Sequence, residues 1–149
     1  MNRNKRTLLS ICAAMAALFC VPAMAAEFLN TEQSLASGLP FSEGVRVNGM
    51  IYLSGQIPLD PATGKIVEGG IQAQARQTMD NIRATLERYG SSMDRVVKCT
   101  VMIRDMDDWA AFNEVYVTYF PGPKPARSAF GASGLALGAM LEVECWAED

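Results

Sequence analysis

Asn48-Gly49 lies between two apolar runs, residues 45–47 and 50–53, and this pair restricts the fold more than any other feature of the chain. Both central residues of a type I′ turn need positive φ, so Asn-Gly between apolar segments is the strongest short signal for a β-hairpin. A polar lead-in, residues 27–38, precedes it and ends at Leu39-Pro40. Gly55 closes the second strand, and Pro58, Asp60-Pro61 and Thr63-Gly64 make the next stretch a loop.

At Ile71 the period changes. Ile71, Ala75, Met79, Ile82, Leu86 and Tyr89 recur at steps of three and four and fall on one face of a helix over residues 71–89. Gly90 is placed to end that helix in the left-handed conformation. Residues 96–103 read as a strand. A second helix is expected over residues 107–119, with Asp107 and Asp108 at its positive N-terminal end and Trp109, Phe112, Val115 and Tyr119 as its apolar stripe. Pro121-Gly122-Pro123 stops it. Residues 127–130 suit a short strand, residues 131–138 a glycine-rich connection, and residues 139–147 a final strand.

The predicted order is β-β-α-β-α-β with one additional short strand, an α+β domain whose two helices can cover only one face of the sheet. The strands nevertheless carry apolar residues on both faces. In the last one Leu141, Val143 and Cys145 point one way, while Met140 and Trp146 point the other beside Glu142 and Glu144. Met50 and Tyr52 likewise alternate with Ile51 and Leu53, and a face bearing Met, Tyr and Trp is not expected to stay in water. It is expected to pack against other copies of the chain.

The N-terminus predicts export. Arg3, Lys5 and Arg6 precede an uncharged apolar stretch, residues 7–21, then Pro22 and the small residues of Ala23-Met24-Ala25. This is the pattern of a secretory signal peptide over residues 1–25, cut after Ala25 or, next best, Ala26. The apolar stretch falls short of the ~20 residues a spanning helix needs. Cleavage leaves one domain, residues 26–149, periplasmic or secreted, with no membrane segment. It also removes three basic residues and two of the four cysteines. No basic run or aromatic–basic stripe remains, which argues against nucleic acid as a partner. Cys99 and Cys145 persist, and they are either bridged or two buried thiols. Both lie inside apolar strand-like runs, which favours buried thiols.

With no histidine in the chain, a metal site is improbable and the available chemistry is that of carboxylates, Arg, Lys, hydroxyls and thiols. Gly131, Gly134 and Gly138 do not match a phosphate loop. Arg127, in Pro125-Ala126-Arg127-Ser128, and the paired Glu142 and Glu144 stand out. One reading makes them an Arg–Glu ion pair that fixes the register of subunits. The other makes Arg127 a two-pronged grip on a substrate carboxylate while a glutamate handles water.

Four stretches carry a resemblance that spans residues 39–146. They are Leu39-Pro40-Phe41-Ser42; residues 53–64, LSGQIPLDPATG; Phe112-Asn113-Glu114-Val115-Tyr116; and residues 119–128, YFPGPKPARS. The chain resembles the Rid (YjgF) family of enamine/imine deaminases. The resemblance implies a chorismate-mutase-like homotrimer with ligand sites between subunits and no cofactor. It also implies that Arg127 binds a carboxylate, that Glu142 positions or activates water, and that Asn113 lines the cleft or braces the Arg127 loop. Backbone at Ser54 and Gly55 would border the same pocket, and Glu144 would be structural, as partner to a cation. Most members have tyrosine where this chain has Phe41. A lost hydrogen bond there is worth on the order of 1 kcal/mol or more if its partner stays buried. The implied activity is hydrolysis of small 2-imino or enamino acids, such as 2-aminoacrylate, to 2-keto acids and ammonia. The alternative is a trimer that binds small carboxylates without turnover.

Overall fold

The computed structural model describes residues 25–149; apart from Ala25, the expected signal peptide lies outside them. Asn48 (φ 52°) and Gly49 (φ 74°) both adopt the left-handed backbone that the hairpin requires. They join β2 (Gly44–Val47) to β3 (Met50–Leu53), with Val47 opposite Met50. The first long helix is α2 (Gly70–Arg88), and Gly90 (φ 87°) follows it as expected. The second is α3 (Trp109–Tyr116), flanked by 3-10 turns at Met106–Asp108 and Val117–Tyr119. Around them lie β6 (Val96–Ile103), β7 (Ala126–Gly131) and β8 (Leu141–Glu148).

Three elements escape the sequence pattern. The polar lead-in forms β1 (Glu27–Leu29), which pairs with β2, and the short helix α1 (Glu32–Ala36), capped by the Thr31 hydroxyl. The stretch read as a loop contains a small hairpin, β4 (Leu59–Asp60) with β5 (Lys65–Ile66). None is long enough to show a period.

The main sheet runs β1-β2-β3-β8-β6-β7, antiparallel throughout except for the parallel pair β6–β7. A parallel neighbour needs a crossover, and α3 supplies it, leaving β7 as an edge strand. Ile51, Leu53, Cys99, Val101, Ile103, Leu141, Val143, Cys145 and Ala147 face the helices. Against them pack Ile71, Ala75, Met79, Ile82 and Leu86 of α2, and Phe112, Val115 and Tyr116 of α3. The α3 stripe differs from expectation at one position: Tyr116 is buried, whereas Tyr119 packs at the margin of the core. Tyr116 follows Phe112 by one turn and packs against it at a tilt, with ring centroids 5.5 Å apart.

The cysteines correct a second expectation. Cys99 and Cys145 are direct cross-strand partners on β6 and β8 and form a disulfide, their Cα atoms 4.2 Å apart. Both are fully buried, so burial and bridging were never alternatives. The cross-strand pairing that decides the matter has no signature in linear spacing.

Glu43 ties the N-terminal arm to this core. Its carboxylate accepts from the Thr31 hydroxyl (2.6 Å), the Tyr89 hydroxyl (2.8 Å) and Arg88 Nη1 (2.8 Å). Burial raises its pKa, but the bonds from Thr31 and Tyr89 and the charge of Arg88 outweigh that and hold it below the ordinary 4.5. A depressed carboxylate pKa stabilises the fold above the unfolded-state value, and that stabilisation is lost as pH falls through the folded-state value. Glu43→Gln is therefore expected to cost about 1–2 kcal/mol at neutral pH. The gap between the variant and wild type should close as pH falls below 4.5, as followed by thermal melts across an acid series.

Candidate active site

The residues singled out in the sequence fall into two groups on opposite sides of the sheet. The first lies on the side away from the helices. Gln56 forms an isolated bridge to Val143, its N–H donating to the Val143 carbonyl (2.9 Å) and its carbonyl accepting from the Val143 N–H (3.0 Å). This lays Gly55 against the neighbouring Glu142. The fit needs glycine: a Cβ at residue 55 would stand 1.9 Å from Glu142 Oε1 and 2.9 Å from its Cδ. Glu142 pairs with Met102 and alternates with buried Leu141 and Val143, so its side chain projects from the face opposite the helices.

Ser54 organises the adjoining wall. Its N–H donates to the Glu43 carbonyl (3.0 Å) and its hydroxyl to the Ser42 carbonyl (2.7 Å). These bonds fasten the segment carrying Phe41, whose ring is 55% exposed. Phe41, Ser42, Ser54, Gly55, Tyr52 and Glu144 line one groove of about 740 Å³. Glu144 departs from expectation, because it accepts from the indole Nε1 of Trp146 (2.6 Å) and not from a cation. The Trp146 ring meets Tyr52 edge-on at 5.1 Å and remains 38% exposed, so this face presents both aromatic surface and carboxylates.

The second group belongs to the helix side. Arg127 pairs in register with Cys99, whose side chain is buried beneath the helices, so Arg127 projects toward α3. Its Nη1 donates to Asn113 Oδ1 at 2.8 Å. Its guanidinium carbon lies 4.6 Å from the Trp109 ring centroid and 4.7 Å from that of Tyr116. Burial raises the Tyr116 phenol pKa, an effect partly opposed by the Arg127 charge. Within one chain the structure thus joins Arg127 to Asn113, and Glu142 to Gly55 at the margin of the Phe41 groove, but does not bring the two sets together. An ion pair between Arg127 and Glu142 of the same chain is excluded by their placement on opposite faces. Trp109 and Tyr116 were not among the expected site residues. The signal was present in the steps of four and three from Trp109 through Asn113 to Tyr116, which put all three on one helical face.

The fold is thus an α+β domain with helices on one face of the sheet and, on the other, a groove whose lining includes Phe41, Ser54, Gly55 and Glu144. Residues 31–149 match the family described as Endoribonuclease L-PSP. A RutC family protein of Pyrococcus abyssi is 43% identical over 121 residues, covering 81% of this chain and 95% of its own. The 2-iminobutanoate/2-iminopropanoate deaminase of Mus musculus is 40% identical over 116 residues, covering 78% and 86%. Among solved structures, the Rid-family protein YyfA of Yersinia pestis superposes with a TM-score of 0.78 at 37% identity, covering 84% of this chain and all of its own. The chain belongs to this family, the Rid (YjgF) family.

Proposed function

We propose that this protein is an exported, homotrimeric deaminase that hydrolyses small 2-imino or enamino acids to 2-keto acids and ammonia. The observation that carries the proposal is the division of the site. Arg127 sits on an edge strand and Glu142 on the uncovered sheet face, so a second copy laid against that face would complete the site. Exposed Trp146 and Phe130 supply apolar surface for such a contact. The mouse relative bears the name of this activity. RNA cleavage, which the family description names, is less well served by a chain with no histidine and a net charge of −3. Export rests on the basic, apolar and small-residue order of the first 25 residues, and the Cys99–Cys145 disulfide suits an oxidising compartment.

In this reading Arg127 grips the substrate carboxylate, and an enamine substrate first tautomerises to the imine. Water adds to the imine carbon as Glu142 takes a proton from it, giving a tetrahedral carbinolamine. Glu142 returns that proton to nitrogen, then takes the proton of the carbinolamine hydroxyl and passes it to nitrogen too. The C=O bond forms as the C–N bond breaks, and ammonia leaves with the 2-keto acid behind. The imine is already electrophilic, so these residues suffice. An imino acid generated in situ by an amino acid oxidase should decay faster with the protein than in buffer; equal rates would end this reading.

Phe41 favours a second reading, a carboxylate-binding trimer without turnover, since a phenyl ring offers no hydroxyl to substrate or water. Calorimetry with 2-oxobutanoate beside the decay assay separates the two. We expect Phe41→Tyr to raise kcat/KM by about five-fold, the equivalent of one regained hydrogen bond of ~1 kcal/mol. A fall would show a groove fitted to the phenyl ring.

A further inference from the structure

A guanidinium that must capture a carboxylate has to be held in one orientation without being neutralised. A carboxylate partner would fix it but would also occupy the edge that the ligand needs. The structure holds Arg127 another way. Trp109 and Tyr116 flank its guanidinium carbon at 4.6 and 4.7 Å, and Asn113, between them on α3, accepts from Nη1. Among the described residues only Asn113 accepts a hydrogen bond from the Arg127 guanidinium, which leaves Nε and Nη2 without an acceptor. The flanking rings are themselves fixed. Tyr116 is 5% exposed, and a continuous aromatic row runs from Trp109 to Phe112 (5.8 Å), Tyr116 (5.5 Å) and Phe120 (4.9 Å). The core therefore dictates where the rings lie, and the rings dictate where the cation lies. Ring quadrupoles attract a cation while leaving its charge in place.

We propose that Trp109 and Tyr116 are positioning residues that hold the Arg127 guanidinium so that its Nε–Nη2 edge receives a planar carboxylate. This rests on the reading of Arg127 as the carboxylate grip. Their contribution goes to binding and not to the water-addition step, which predicts a split between KM and kcat.

Trp109→Leu is expected to raise both the 2-oxobutanoate Kd, by calorimetry, and the imino acid KM by about 3- to 10-fold, with kcat within about two-fold of wild type. Trp109→Phe, which keeps an aromatic face, should restore both to within about two-fold. Tyr116→Leu and Tyr116→Phe form the parallel pair; because Tyr116 is buried, the half-buried Trp109 pair carries the test if Tyr116→Leu fails to fold. A ligand-independent readout is the Arg127 Nε–Hε NMR signal, identified by its disappearance in Arg127→Lys. It should be ring-current shifted in wild type and in Trp109→Phe, and should move toward the position of a free arginine in Trp109→Leu.

An unmoved Arg127 signal with unchanged Kd in Trp109→Leu would overturn the proposal, whatever the turnover. So would a loss of kcat equal to the rise in KM that Trp109→Phe does not rescue. A wild-type protein that binds 2-oxobutanoate without consuming imine would instead retire the deaminase reading and leave the positioning role standing. A wild type that binds no carboxylate would overturn both.

Discussion

Arg127→Ala is expected to lower kcat/KM for imino acid hydrolysis by about 100-fold or more and to abolish measurable binding of 2-oxobutanoate. The magnitude follows from what is removed: two charge-assisted hydrogen bonds, each worth about 1.5–3 kcal/mol, on a ligand with few other polar handles. Arg127→Lys should fall between. A lysine keeps the charge but not the planar fork, and it cannot present two parallel donors to one carboxylate. Neither variant should shift the melting temperature by more than a few degrees, because Arg127 is exposed on an edge strand and makes no ion pair among the described residues. The decay assay and calorimetry, run beside thermal melts, check all three statements. Wild-type rates in Arg127→Ala would remove Arg127 from the site.

The second large effect is expected from a single methyl group. Gly55→Ala should reduce kcat by about 100-fold, the scale on which displacement of a reacting group by about 1 Å acts. KM should change little. The clash falls on the carboxylate end of Glu142, a flexible side chain that can swing aside, and not on backbone. Gly55 does not occupy the left-handed region, so alanine imposes no backbone strain. Stability should be unmoved or slightly raised, since alanine restricts the unfolded chain and stabilises by about 0.4–1 kcal/mol at compatible positions. A folded, unmelted protein that has lost turnover but still binds 2-oxobutanoate would tie the chemistry to the position of Glu142. Full activity in Gly55→Ala would show that Glu142 has no role in the reaction.

The difference between these two variants mirrors what the sequence could disclose. The Asn48-Gly49 turn, the α2 stripe and the two-faced alternation of β8 all depend on local periodicity or a local backbone requirement, and each lies where the residues predict. The position of Arg127 does not. Its side of the sheet follows from its parallel register with Cys99, and that register is set by the path of α3 across the sheet. The same holds for Gly55 and Glu142, which are far apart in sequence and meet through one isolated bridge. The cysteines failed for this reason too, since composition reports that a residue is buried but not which residue lies opposite. Resemblance named Arg127, Asn113 and Glu142 together as one site, whereas the single chain divides them between two faces. The residues of a site assembled between copies can be recognised in one sequence, but their proximity cannot be read from it.

Glu43 has a consequence beyond acid stability. It stands two residues from Phe41, and Ser54 is bonded to the carbonyls on either side of that junction, at Ser42 and Glu43. The carboxylate bonds of Glu43 and the backbone bonds of Ser54 thus converge on the short segment that carries Phe41 into the groove. Protonation of Glu43, which its lowered pKa defers to below 4.5, would loosen the arm and this segment together. A single residue would then join the acid sensitivity of the fold to that of the groove wall.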